Sequence, residues 1–170
     1  MTHRLILMRH AKSSWTDLTL EDHDRPLNGR GERSAEAMGR WMKDEGLSPD
    51  ITLCSTAQRT QQTLDLLNLT AEPILMRSLY HATEDGMLGL LQQQKAPTVL
   101  LVGHNPGIGA LAQLLAKKPP KHERFHDYPT CATTVLHFDT DDWTKVGPGR
   151  GQVQNFLIPA DLEDADQKAR

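Results

Sequence analysis

The chain has 170 residues, with 19 lysines and arginines against 22 aspartates and glutamates for a formal net charge of -3. That length suits one domain burying roughly 70% of its unfolded surface, and the balance of charge leaves no global basic field for nucleic acid. No apolar run approaches the roughly 18 residues of a membrane span, and the two cysteines, Cys54 and Cys131, lack ligand spacing and read as reduced, packed thiols, so the expectation is a soluble, cytoplasmic monomer.

Strand-like and helix-like stretches alternate along the chain. The apolar run Leu5-Ile6-Leu7-Met8 reads as a buried strand, and Arg9 and His10 stand where it ends. In open α/β sheets ligands bind in the crevice beyond the carboxyl ends of the strands. Residues 23–27 are extended or turning, because Pro26 biases Arg25 away from helix. Asn28 has the chemistry of an N-cap. From Gly29 to Glu45 the apolar positions Ala35, Met38 and Met42 fall at helical spacing, and Gly46 supplies the stop. Ile51-Thr52-Leu53-Cys54 makes a second strand. Ser55-Thr56-Ala57-Gln58 then has the form of a capping box. This places Arg59 in the first turns of a helix, where it either joins an anion site or points to water.

Residues 72–75 allow a short strand, and Thr83 is a cap for a helix from Glu84 to Gln94 with Met87, Leu88 and Leu91 inward. Residues 97–102 read as another buried strand, followed directly by Gly103-His104-Asn105-Pro106. Asn105 and Pro106 have the chemistry of N-cap and first helical residue for a helix reaching Lys117. Lys117-Lys118-Pro119-Pro120 breaks that pattern. Residues 132–139 and 152–158 are the last two strands. The folded domain is therefore assigned to residues 1–158, and 159–170 to a charged, frayed tail.

Two histidines and two arginines from three strand ends suit a phosphoryl group. Two short matches are set aside. His122-Glu123-Arg124-Phe125-His126 has the zinc-protease pattern, but it is squeezed between Pro119-Pro120 and Pro129, where no stable helix fits. Cys54 to Arg59 is one residue too short for the loop of a cysteine phosphatase, and Cys54 is more simply a small buried residue.

Leu7-Met8-Arg9-His10-Ala11, Arg25-Pro26-Leu27-Asn28 with Gly31, residues 54–63, Val102-Gly103-His104-Asn105-Pro106 and Tyr128-Pro129-Thr130 together resemble the histidine phosphatase superfamily. Within it, the likeness is to SixA-type phosphohistidine phosphatases, and it runs from Leu5 to Asp139. The resemblance implies a single-domain α/β three-layer sandwich of phosphoglycerate-mutase-like form with a mostly parallel central sheet. It implies a phosphatase that needs no metal or cofactor, with His10 as the phosphorylated nucleophile and Arg9, Arg59 and His104 as the phosphate pocket. Where the superfamily usually has Arg-His-Gly, this chain has Arg9-His10-Ala11, so Ala11 must sit in a conformation open to any residue.

The assigned chemistry follows from the side chains. A neutral imidazole accepts a phosphoryl group when one ring nitrogen is held as N–H, and flanking guanidiniums keep it neutral. Planar arginine forks hold the equatorial oxygens of the transferring group. Arg25 either contacts phosphate or anchors the loop before Pro26. Larger superfamily members carry an acidic proton donor after the third strand. Glu84 stands there by position, with the alternative role of a carboxylate favoured by its helix start. Lys12, Ser13 and Ser14 either line the pocket mouth or are plain loop residues. The expected partner is a phosphohistidine-bearing protein, such as a phosphorelay component. The alternatives are a small phosphoester, for which there is little inserted sequence to build a lid, or phosphate-dependent binding without turnover.

Overall fold

The computed structural model describes residues 2–169. Its strands are β1 (His3–Arg9), β2 (Ile51–Ser55), β3 (Pro73–Met76), β4 (Thr98–Gly103), β5 (Thr133–Phe138) and β6 (Gln152–Leu157). The helices are α1 (Gly29–Asp44), α2 (Gln58–Leu67), α3 (Glu84–Leu91), α4 (Gly107–Leu115) and α5 (Pro159–Ala169). The six strands form one sheet in the order β3-β2-β4-β1-β5-β6. The pairs β3/β2, β2/β4 and β4/β1 are parallel, whereas β5 runs antiparallel to both its neighbours.

The uninterrupted apolar runs of β1 and β4 follow from burial on both faces, as parallel strands covered by helices require. Leu5 and Leu7 point into one core with Leu101, Met87 and Leu91 of α3 and Ile108 and Leu111 of α4. Ile6 and Met8 point into the other with Leu100, Val102, Met38 and Met42 of α1 and Leu64 and Leu67 of α2. The result is the three-layer α/β sandwich that the resemblance implies.

This order puts β2, β4 and β1 side by side, so their carboxyl ends open onto one crevice. Asn28 caps α1 by accepting from the Gly31 N–H at 2.8 Å. The same turn grips the loop after β1, because the Asn28 N–H donates to the Lys12 carbonyl at 3.0 Å. A Cβ on Gly31 would lie 2.1 Å from that carbonyl oxygen, so only glycine permits the approach. Ala11 needs no such allowance. Positive φ among non-glycine residues occurs at Asn68, Tyr128 and Cys131, and the Ala11 N–H is fixed by Thr63 Oγ1 at 2.9 Å.

Several local expectations are corrected. The capping box at 55–58 does not form. Ser55 pairs opposite Met76 as the last residue of β2, and α2 begins at Gln58 behind Ala57, which has no side-chain cap. α3 ends at Leu91 and α4 at Leu115, short of the expected ends, and Pro106 takes the cap position before Gly107. Asn105 still serves α4, since its Oδ1 accepts from the Gly109 N–H at 3.2 Å. Residues 159–169 are helix α5 rather than a frayed tail. Asp161 Oδ2 accepts from the Ile158 N–H at 2.9 Å, and Leu162 packs on the core beneath α1, anchors that charge content alone does not reveal.

The segment 122–126 is a run of turns, not a helix. His122 Nε2 pairs with Asp161 Oδ2 and His126 Nδ1 meets Gln113 Oε1, so the two rings serve different neighbours. Among the described residues no helix is long and apolar enough to cross a membrane.

Candidate active site

His10 follows the last residue of β1, and its backbone is clamped on both sides. Its N–H donates to the Gly103 carbonyl at 3.0 Å, and its carbonyl accepts from the Cys131 N–H at 2.9 Å. The side chain is held as firmly. Nδ1–H donates to the Ala11 carbonyl at 2.7 Å, which leaves the lone pair on Nε2. The ring is 6% exposed.

His104, just past β4, lies beside it, with ring centroids 5.2 Å apart. His104 Nε2 and Ser55 Oγ are 2.8 Å apart, and Ser55 Oγ already accepts from the Ala57 N–H at 3.2 Å. A hydroxyl has one proton and two lone pairs, so this contact forms with either atom as donor and holds the His104 ring in place. Ser55 thus performs a task in the site rather than in the helix cap.

Three arginines surround the two rings. Arg9 Nη1 donates to the Tyr128 carbonyl at 3.1 Å, an acceptor shared with Asn105 Nδ2 at 2.8 Å. Tyr128 holds φ at 48° and is itself pinned by its hydroxyl, which donates to the Leu7 carbonyl at 3.1 Å. This strained turn is over-determined by packing, as is usual beside functional groups. Arg59 donates through Nη1 to the Asp22 carbonyl at 2.7 Å and through Nη2 to Asp22 Oδ2 at 3.1 Å. Arg25 donates to Asp22 Oδ1 at 3.1 Å and to Ser13 Oγ at 2.5 Å, with its guanidinium carbon 3.6 Å from the Trp15 ring centroid.

Asp22 is therefore the keystone of the arginine pair, and Tyr80 adds a hydroxyl donor to the same carboxylate. Sequence reading missed Asp22, Tyr80 and Ser55. The signal for Asp22 lay in the arginines, because a guanidinium buried to the extent of Arg25 or Arg59 requires a counter-charge.

Arg9, His10, Arg25, Arg59 and His104, with Lys12, Ser13, Trp15, Asn105 and Thr130, line one cavity of about 330 Å³. Four cationic side chains face it and no carboxylate does. Arg9 Nε, Arg59 Nε and His104 Nδ1 are buried without a hydrogen-bond partner in the protein. Clefts of larger volume between the ends of α1 and α2 and around Lys117 and Arg150 lack any comparable convergence. Glu84 is not in this cavity; it lines two neighbouring clefts instead.

Burial pushes the His10 imidazole down to about 3; the Ala11 hydrogen bond opposes this, and the Arg9, Arg59 and Arg25 guanidiniums reinforce it. Burial, then His10 and Arg59, push His104 down to about 3 as well. The Tyr80 hydroxyl and the two arginines hold Asp22 well below the usual carboxylate range, against its own desolvation. Both rings are thus neutral in the folded protein at ordinary pH.

The sign of the linkage follows. Between the ordinary imidazole value of 6.5 and about 3 the unfolded chain binds more protons than the native one. The contribution of the two rings is therefore fully present above that window and is lost as pH falls through it. The midpoint of urea unfolding is expected to drop steadily from about pH 7 to about pH 4, and the His10→Asn, His104→Asn double variant to show a flatter profile. An identical slope in both proteins would contradict the assignment.

With this geometry in place, comparison with known proteins is decisive. An uncharacterized protein of Mycobacterium tuberculosis is 35% identical over 159 residues, covering 89% of this chain and 99% of its own. Residues 5–80 match the histidine phosphatase superfamily, branch 1. The chain belongs to the histidine phosphatase superfamily. Among solved members, a candidate phosphohistidine phosphatase SixA from Nakamurella multipartitia is 29% identical, with a TM-score of 0.81 over 94% of this chain and 97% of that one. A second SixA candidate, from Agrobacterium tumefaciens, is 29% identical with a TM-score of 0.75 over 92% and 99%. This histidine phosphatase is therefore SixA-like in fold.

Proposed function

We propose that this chain is a metal-independent phosphatase that removes the phosphoryl group from protein phosphohistidine through a phosphorylated His10. The observation that carries the reading is an imidazole with Nδ1 locked on the Ala11 carbonyl, facing a cavity of arginines and a lysine with no carboxylate. Its likeness to the two SixA candidates, both in sequence and in fold, supports the substrate class.

The steps follow from the groups present. A phosphoryl group in the cavity offers oxygens to the guanidinium N–H groups of Arg9 and Arg59 and lies against His104. His10 Nε2 attacks phosphorus, and the bond to the leaving group breaks with its electron pair passing to that group. Water next attacks the phosphohistidine, returning the electron pair to His10 Nε2 and releasing inorganic phosphate. Charge on the equatorial oxygens persists throughout, and the guanidiniums are already oriented by Asp22 and Tyr128 to meet it.

A protein substrate fits the surface around the mouth. Trp15 is 68% exposed at the cavity edge, and Leu18 and Leu20 of the same loop are also exposed, a cluster of apolar groups suited to a macromolecular partner. The two free, buried cysteines suit a reducing cytoplasm.

Phosphohistidine also places the least demand on acid catalysis, because an imidazole with its distal nitrogen protonated leaves as a neutral ring, whereas an alkoxide must be protonated. A phosphohistidine peptide is expected to be turned over with kcat/KM at least about a hundredfold above an alkyl phosphomonoester, and without loss in EDTA. Equal turnover of the two substrates would overturn the assignment of phosphohistidine, and loss of activity in EDTA would overturn metal independence.

A further inference from the structure

A smaller cleft of about 140 Å³ adjoins the phosphate cavity, and the two share His104 and Asn105 as a common wall. Its other walls are Tyr80, His81, Thr83 and Glu84, closed off by Gly107 at the start of α4. Resting on the phosphohistidine reading above, we propose that this cleft is the leaving-group subsite, and that Glu84 serves there as acceptor for the N–H of a substrate imidazole rather than as a proton donor.

The placement comes first. Ring centroids step away from the nucleophile in sequence: His10 to His104 at 5.2 Å, His104 to Tyr80 at 5.4 Å, and Tyr80 to His81 at 3.9 Å. His104 and Asn105 thus stand between the two spaces, and a group carried on a phosphoryl held in the cavity has the cleft as its neighbour. In-line displacement puts the leaving atom opposite His10 Nε2, and the cleft is assigned to that side.

The cleft is narrow because α3 and α4 approach closely at its end. A Cβ on Gly107 would lie 2.1 Å from the Ala82 carbonyl oxygen and 2.7 Å from Met87 Cε. Such a space suits one small planar ring. Tyr80 and His81 line it with aromatic rings. Glu84 is the first residue of α3, and its backbone is set by Thr83, whose hydroxyl accepts from the Gly86 N–H at 3.1 Å.

The chemistry then separates phosphorus–nitrogen from phosphorus–oxygen substrates. In its imidazolium form a 3-phosphohistidine ring carries a proton on the distal nitrogen, and a carboxylate accepts it in a charge-assisted hydrogen bond. As His10 Nε2 bonds to phosphorus, the P–N bond breaks and its electron pair returns to the departing ring nitrogen. The ring leaves neutral, its distal proton still held at Glu84, so no proton has to be delivered. A seryl or threonyl oxygen leaves as an incipient alkoxide, and Glu84 as carboxylate repels it. One residue thus attracts the right leaving group and disfavours the wrong one.

The test compares a phosphohistidine peptide with p-nitrophenyl phosphate, whose leaving group offers no N–H, in the wild-type protein and in Glu84→Ala and Glu84→Gln. Glu84→Ala is expected to lower kcat/KM on the peptide by about tenfold or more, with a clearly smaller loss on p-nitrophenyl phosphate. Glu84→Gln, which keeps a neutral amide oxygen as acceptor, is expected to recover part of the loss. Inhibition by N-acetylhistidine amide, a mimic of the departing product, should weaken by a similar factor in Glu84→Ala. Proportional losses on both substrates, or undiminished turnover of the peptide, would overturn the subsite. A wild-type protein that cleaves p-nitrophenyl phosphate through His10 but leaves phosphohistidine untouched would instead overturn the phosphohistidine reading.

Discussion

The His10→Ala variant is expected to lose at least about a thousandfold in kcat/KM on every phosphorylated substrate, and with it the acid-labile phosphoryl label that the wild-type protein acquires during turnover. No other group in the cavity can take the role. His104 has its Nε2 engaged by Ser55, and its Nδ1 is buried away from the cavity. The arginines are permanent cations and the Ser13 hydroxyl is committed to Arg25. Rapid quench into alkaline detergent with a labelled substrate, followed by alkaline hydrolysis and phosphoamino-acid analysis, measures both effects at once. Parent-rate turnover by His10→Ala, or a label retained in it, would contradict the covalent mechanism outright. Retention of tungstate or vanadate binding in the same variant would show that the anion cavity survives the loss of the ring.

The second large effect is expected at Arg59. Its guanidinium gives two N–H groups to Asp22, which leaves the remaining donors of the fork for the phosphoryl oxygens. Arg59→Ala removes those donors, and also strips Asp22 of one of its two cationic partners at the rim of the cavity. A fall of about a hundred- to a thousandfold in kcat/KM is expected, dominated by kcat because the oxygens bear most charge in the transition state. Arg59→Lys should recover little, since a single ammonium cannot serve the Asp22 carbonyl, the Asp22 carboxylate and a phosphoryl oxygen in fixed directions. Full recovery with lysine would reduce Arg59 to a simple point charge. An unchanged kcat with only KM raised would assign it to uniform binding of substrate rather than to the chemical step.

What could be read in advance had local causes. β1 and β4 are buried on both faces of a parallel sheet, so their apolar runs stand out, and the polar residues that stop them, Arg9-His10 and Gly103-His104, are marked as strand ends without any knowledge of neighbours. Asn28 and Thr83 cap helices through contacts three residues away, a range that sequence inspection covers. The resemblance to histidine phosphatases rested on those strand-end motifs together with residues 25–28, 54–63 and 128–130. Where reading failed, a distant partner had intervened. Ser55 has the residue type and spacing of a cap, yet pairing with Met76 holds it in the strand and His104 claims its hydroxyl. Residues 159–169 look like a charged tail until Leu162 finds the core beneath α1.

The sequence by itself determined the alternation of strands and helices, the two histidines at strand ends and the arginines able to hold a phosphoryl group, because each depends on residue type and short-range pattern. Only the tertiary structure decided that Asp22 and Tyr80 orient the arginines, that Ser55 holds His104 Nε2, and that Glu84 lines side clefts instead of the cavity at His10. Those outcomes depend on which buried charge lies within hydrogen-bonding reach of which loop, and that is settled by the order in which the strands assemble, not by any spacing along the chain.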